Sequence, residues 1–363
     1  MATAEVGRRS LPLQAQELRA ELAAEQLTVE SELCEPLAGQ GLRCLACAHR
    51  CVLPPGAAGA CGARRNDAGV LRAPFGYVAR RYVRAVETNT IFHLLPGALS
   101  LTFGMYGCDL RCPYCHNHRV SQALREDGGP EHPTPISAEA LVAEALAAGC
   151  RVLCAAYNEP MISVEWMRAV FRAARQRGLR TAVVSDGHST PEALCYLRED
   201  VDVFRVDLKA GSEAAYRQLG GRMQPVLDTI ALAKRLGLWV EVVTLVVPGL
   251  NQDAKTLQAI GGQLREIDRD MPWHLNGFVP RYRLRGAPAA DPLLLMMAAG
   301  AAYVHGSRFV YVGNVPACAE LAHTRCPECH HVLVQRHDYR TVATAIVEPS
   351  CPRCAAPLPG LWH

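Results

Sequence analysis

The sequence predicts an α/β protein: a partial (β/α)6 barrel carrying an N-terminal Cys-rich module and a C-terminal zinc-ribbon-like module. Three observations carry that prediction. Runs rich in Val and Leu alternate with helical periods through the middle of the chain, the pattern of a parallel sheet covered by crossover helices. Cysteines crowd into residues 44–61, and two CxxC pairs follow residue 325, so metal sites bracket the barrel. The 363 residues suffice for one large domain with small appendages. The expected division is a helical segment at 1–40, the Cys-rich module at 41–75, the barrel at 76–318 and the ribbon-like module at 319–363.

Residues 13–27 read as a short amphipathic helix. The first barrel strand is 99–103. Ser137 caps a helix with Leu141, Val142, Ala145 and Leu146 on one face, and Gly149 ends it. Strand 152–156 leads to a helix at 164–177 closed by Gly178, then strand 181–184. Thr190-Pro191 is a favoured N-cap and first-turn pair. Strand 201–208, helix 225–236 before Gly237, and strand 238–247 before Pro248-Gly249 follow. Helix 254–267, strand 274–278, helix 292–302 and strand 309–313 complete six βα units. Active groups in such barrels lie at the C-terminal ends of strands. Residues 126–135, with two Gly and three Pro, form a loop suited to a lid.

A net charge of +3 argues against nucleic-acid or membrane partners. No run approaches the roughly 18 apolar residues of a membrane span. Glu17, Glu21 and Glu25 mixed with Arg8, Arg9 and Arg19 do not read as a signal or transit peptide. The expected compartment is the cytoplasm, where clustered cysteines, here eleven of the 16, read as metal ligands or catalytic groups rather than disulfides.

The most informative run is Gly104-Met-Tyr-Gly-Cys-Asp-Leu-Arg-Cys-Pro-Tyr-Cys-His-Asn117. Cys108, Cys112 and Cys115 on one loop can hold three irons of a [4Fe-4S] cube and leave the fourth without a nearby protein ligand, unlike a four-Cys electron-transfer cluster; the rival is a zinc loop or three buried thiols, but no fourth Cys lies close by. Polar residues recur at the strand ends: Tyr157-Asn158-Glu159-Pro160, Ser185-Asp186-Gly187-His188, Asp207-Leu208-Lys209, Trp273-His274-Leu275-Asn276 and Gly313-Asn314-Val315-Pro316. Together they offer donors and acceptors for a polar cofactor.

With Tyr114 before its last Cys, the loop resembles the signature of radical S-adenosylmethionine (SAM) enzymes, and the fold is then a radical SAM barrel. The strand ends are similar, more closely, to the radical SAM component of the AmmeMemoRadiSam system, a branch of the pyruvate formate-lyase activating enzyme-like group, over nearly the whole chain. The resemblance implies that SAM chelates the open iron and is cleaved reductively to a 5′-deoxyadenosyl radical, which abstracts hydrogen from a substrate. It implies SAM contacts from Tyr114, Asn158, Glu159, Asp186, Asp207, Lys209 and Asn314. It also implies a reductant such as flavodoxin or ferredoxin, and a Memo-like partner. The chain departs from the branch at Asp186-Gly187, where Asn-Gly is usual, and at His116, where Gln is usual. A Lys-containing stretch of the branch appears here as Arg84-Ala-Val-Glu-Thr-Asn-Thr90. These departures imply a divergent member with its own substrate.

Cys326-x2-Cys329 and Cys351-x2-Cys354 read as a closed tetrahedral zinc site, with a hairpin through 332–334 and 341–346 between them; an iron–sulfur cluster is the rival. Cys44, Cys47, Cys51 and Cys61 offer zinc or an auxiliary iron–sulfur cluster, and His49 reads as a solvated loop residue. Cys34 stands alone. Cys150 and Cys154, four apart, are expected on one side of a strand as buried core. Cys318 as a hydrogen donor facing the cavity and His188 as a substrate contact are the catalytic candidates. Three functions compete: an oxidoreductase-type radical enzyme acting on a small molecule or another macromolecule, an activase installing a glycyl radical on a partner protein, and a metal-organised binding module with an inert barrel.

Overall fold

A computed structural model describes residues 14–127 and 132–363. Its centre is an eight-stranded sheet. In chain order the strands are β1 (Arg80–Ala85), β2 (Leu99–Gly104), β3 (Val152–Ala155), β4 (Arg180–Ser185), β5 (Val203–Asp207), β6 (Trp239–Val246), β7 (Trp273–Gly277) and β8 (Val310–Gly313). Spatial order follows chain order. From β2 to β8 every neighbouring pair is parallel, which gives the six expected crossovers. β1 was not foreseen: it adds to β2 antiparallel and leaves β1 and β8 as the two open edges. Its sequence, Arg-Arg-Tyr-Val-Arg-Ala, has no clean apolar alternation, and none of its residues is buried: three are half-exposed and three exposed.

The helices form as their caps and faces dictate. Ser137 and Thr190 accept the backbone N–H groups of Ala140 and Ala193, as read from sequence. Helix α1 (Ala138–Ala147) is followed by α2 (Val164–Gln176), which buries Trp166, Met167, Val170, Phe171 and Ala174 at helical spacing. On its outer face Arg168 and Arg172 pair with Asp200. Further crossovers are α3 (Pro191–Leu197), α4 (Glu213–Gln218) with α5 (Gln224–Arg235), α6 (Ala254–Ile267) and α7 (Pro292–Val304). Among the described residues no helix is long and apolar enough to cross a membrane.

The N-terminal module pairs Cys34–Pro36 with Leu42–Cys44, and Thr28–Glu30 with Val70–Pro74, so its sheets run across the expected boundary at residue 40. The helix ahead of it spans Ala15–Ala24; of the expected segments, residues 1–13 and, in the 126–135 loop, 128–131 lie outside the described residues. A buried ion pair fastens the module to the barrel: Arg64 donates to Ser31 (2.9 Å), to the Ile162 carbonyl (2.8 Å) and to Glu165 on α2. At the other end, β9 (Thr324–Arg325), β10 (Val332–His337) and β11 (Arg340–Thr344) form the expected hairpin sheet. Asp338 and Tyr339 turn it with positive φ.

The hairpin seals the floor of the barrel. Glu241 on β6 accepts the Phe92 and His93 N–H groups, the Trp239 indole N–H and the His274 ring N–H. His93 donates through Nδ1 to the Pro359 carbonyl (2.8 Å) and accepts from the Tyr311 hydroxyl at Nε2 (2.6 Å). Arg336 of β10 donates to Thr324 and to the Phe92 carbonyl and lies 4.1 Å from the centre of the Phe92 ring.

Candidate active site

The loops at the C-terminal ends of the strands enclose a cavity of about 340 Å³. Its wall contains Cys108, Cys112 and Cys115 of the loop after β2. Two glycines make that loop possible. A side chain at Gly104 would strike the Ala156 carbonyl, and Gly107, at φ 99°, packs against the Cys61 carbonyl of the N-terminal module. The three thiols form no disulfide. Burial and the charges of Asp186 and Asp109 push the Cys108 thiol up, and burial pushes Cys112 up to about 12. Metal ligation would reverse both by stabilising the thiolate.

The seven strand-end and loop residues expected around the cofactor all line this same cavity. Tyr157, at φ 73°, is a bulky residue in the left-handed region between β3 and the site. Asn158 accepts the Met105 N–H (3.0 Å) and so joins the β3 end to the cysteine loop. Glu159 accepts from Met161 N–H (3.0 Å), the Ser185 hydroxyl (2.8 Å) and Asp186 N–H (2.7 Å), bracing β3 against β4. Burial and the charge of Asp109 nevertheless push it up to about 7. Asp186 accepts from His188 N–H (3.0 Å) and faces Cys108 Sγ at 3.9 Å; burial and the Asp109 and Glu159 charges raise it as well. Asp207 pairs with Lys209 (3.2 Å) and Arg205 (2.8 Å). Despite its burial, Lys209 is raised by the charge of Asp207. The Tyr114 hydroxyl is buried without a hydrogen-bond partner, and Asn314 accepts from the Tyr339 hydroxyl of the hairpin (2.9 Å).

Three thiols on one loop, a partnerless hydroxyl and crowded carboxyls form a donor set that fits an iron–sulfur cluster with a cationic cofactor beside it.

A family model described as the radical SAM superfamily matches residues 103–260. An uncharacterized protein of Methanocaldococcus jannaschii is 32% identical over 310 residues, covering 85% of this chain and 91% of that protein. The chain belongs to the radical SAM superfamily. Pyruvate formate-lyase 1-activating enzyme of Escherichia coli K12 is 29% identical over 190 residues, 48% of this chain and 70% of that enzyme. A radical SAM methyltransferase from Sphaerobacter thermophilus aligns over 63% of this chain and 70% of its own, with a TM-score of 0.47 and 14% identity. As a radical SAM protein the chain is an enzyme, and membership of the superfamily implies a [4Fe-4S] cluster and SAM.

Both catalytic candidates lie away from the cavity wall. Cys318 is buried, with its sulfur 3.8 Å from the Pro292 carbonyl, because the turn Pro316–Ala322 folds it back against α7. His188 is buried too; its Nδ1 bonds Asp109 (2.9 Å) and its ring packs against His49. His49 is therefore no solvated loop residue: half-buried, it lies 3.1 Å from the Asp109 carbonyl. Cys150 precedes β3, so the period-two expectation fails: it joins the outer core, while Cys154 belongs to a separate cluster with Val152 and Ala182. Arg205 escaped the sequence reading. The available signal was a charge two residues before Asp207 within an apolar strand, which puts both on one face.

At the C-terminal module Cys326, Cys329, Cys351 and Cys354 lie within 4.8 Å of one another, with sulfur pairs at 3.5 and 3.7 Å. A tetrahedron of ~2.3 Å metal–sulfur bonds has edges of ~3.8 Å, so the spacing suits one ion. In the N-terminal module Cys51 and Cys61 accept backbone N–H groups from Ala60 (3.4 Å) and Arg64 (3.5 Å), and Cys34 stands opposite Cys44 in the strand pair.

Proposed function

We propose that this radical SAM enzyme carries its cluster on Cys108, Cys112 and Cys115, binds SAM along the strand ends, and acts on a small molecule. The observation that carries the reading is that one cavity holds the three loop thiols and all seven expected cofactor contacts. When bound, the cluster supplies the electron that cleaves SAM to the radical that abstracts hydrogen. The protein's share is positioning. With the cofactor bound, Glu159 and Asp186 would offer negative charge to its sulfonium and ammonium, and Lys209 would offer positive charge to its carboxylate. Glu159 and Asn158 hold the β3 and β4 ends at fixed spacing to the cysteine loop. Cys326, Cys329, Cys351 and Cys354 hold zinc, and the N-terminal thiols a second metal, as zinc or an auxiliary cluster.

A small molecule is favoured over a partner's peptide because the gap between β1 and β8 is already filled. The β10–β11 hairpin spans it, with its Thr341 hydroxyl on Glu87 just after β1 and its Tyr339 hydroxyl on Asn314 just after β8. An activase would have to displace that hairpin. Anaerobically reconstituted protein should release 5′-deoxyadenosine with dithionite and SAM, and elemental analysis should find about one zinc per chain, lost on changing Cys326 and Cys329 to Ser. Iron alone, without zinc, would replace the zinc site by a cluster.

A further inference from the structure

We propose that the part of the cavity wall carrying Arg205, Thr90 and Asn276 is a substrate subsite for a small carboxylic acid bearing a hydroxyl or amino group. The inference rests on the reading of the outer cavity as the SAM site. Arg205 lies on β5, 6% exposed, and lines the cavity one strand period below Asp207. Its Nε has no hydrogen-bond partner. Among the described residues its ion-pair partner is Asp207 at 2.8 Å, and Asp207 is shared with Lys209 at 3.2 Å. Arg205 thus shares its carboxylate with a second cation. Glu241, the register partner of Arg205 on β6, is already engaged by four neighbouring N–H groups. With Nε still open, the guanidinium can take a further acceptor, and a planar carboxylate answers its fork of donors with two parallel bonds.

The second element lines the same cavity. Asn276, at the end of β7, is 7% exposed, and its Oδ1 is buried without a partner, while its Nδ2 lies 3.4 Å from the Thr90 hydroxyl. An unpaired amide oxygen calls for a donor on the ligand, which a hydroxyl or amino group supplies. Asn89 anchors the Thr90 turn by donating to Ser100 (3.1 Å) and Thr102 (2.9 Å). The wall thus reads one negative and one donor group on a molecule small enough to sit behind the hairpin.

The test uses the reconstituted holoenzyme with SAM under anaerobic titration calorimetry, with lactate, lactamide and inorganic phosphate as probes. Lactate should bind at least about ten-fold more tightly than lactamide, and Arg205→Gln should erase that preference. Asn276→Asp, which sets a like charge beside the bound carboxylate without removing volume, should weaken lactate by about ten-fold or more and carries the test if Arg205→Gln does not fold. Equal binding of lactate and lactamide by the parent, no lactate binding, or a preference surviving Arg205→Gln, or Asn276→Asp in its place, overturns the proposal. Tighter binding of phosphate than lactate overturns the carboxylate assignment. A parent that binds lactate in this pattern yet never cleaves SAM overturns the radical SAM site reading instead.

Discussion

At the mouth of the barrel Glu159 is pushed up to about 7, whereas at its floor Glu241 is held down to about 2. Both are fully buried, and both accept several hydrogen bonds. Their neighbours differ. Glu159 shares its surroundings with the Asp109 and Asp186 carboxyls, while burial of Glu241 is outweighed by His274, His93 and the Phe92 N–H. At the floor the Glu241 carboxylate is satisfied within the chain; at the mouth Glu159 and Asp186 crowd with Asp109, a surplus of acid that a cationic ligand would relieve. A buried carboxylate thus marks a site when its company is like-charged, and marks scaffold when its donors already close the account.

The sharpest break between the two ends is expected at the thiols. Cys112→Ala should abolish 5′-deoxyadenosine formation under dithionite and leave the fold intact; production at the parent rate would sink the three-Cys reading. At the floor, Glu241→Ala strips the acceptor from four donors and should destabilise the protein by about 3–5 kcal/mol, read as a lower denaturation midpoint. An unchanged midpoint would mean the floor is not the scaffold described.

His93 sets a pH test of the same end. Burial holds it down to about 4 from 6.5, so the unfolded chain takes up its proton first as pH falls. Its contribution is complete above pH 6.5 and is lost as pH drops from 6.5 towards 4, a change of ~3 kcal/mol. His93→Phe should flatten that slope in urea melts; an unaltered slope would contradict the neutral assignment. The smallest effect belongs to the mouth. Glu159→Ala should cost SAM affinity about five- to 150-fold, matching ~1–3 kcal/mol for a lost polar partner, with cluster content kept. If SAM bound that variant as the parent does, Glu159 would be scaffold like Glu241, and the contrast would collapse.

Much of this was legible in the sequence, and it was the part governed by short spans of chain. The x3 and x2 spacing of Cys108, Cys112 and Cys115, the paired Cys326-Cys329 and Cys351-Cys354, the Ser137 and Thr190 caps and the strand-end polar residues are local patterns, whose geometry covalent connectivity bounds within a few residues. The placements that depart from expectation depend on distant packing. Cys318 turns towards α7, His188 turns to Asp109, and Arg205 faces the cavity because neighbouring strands enclose it, none of which a local window contains. The same holds for closure of the barrel. Glu87 meets Thr341, Arg336 meets Phe92 and Asn314 meets Tyr339 only when the hairpin docks across the open edges of the sheet. The amino-acid sequence alone therefore determined which chemistry the chain carries, and the tertiary structure alone decided how much room that chemistry has, because burial and long-range contact are properties of the packed chain rather than of any segment.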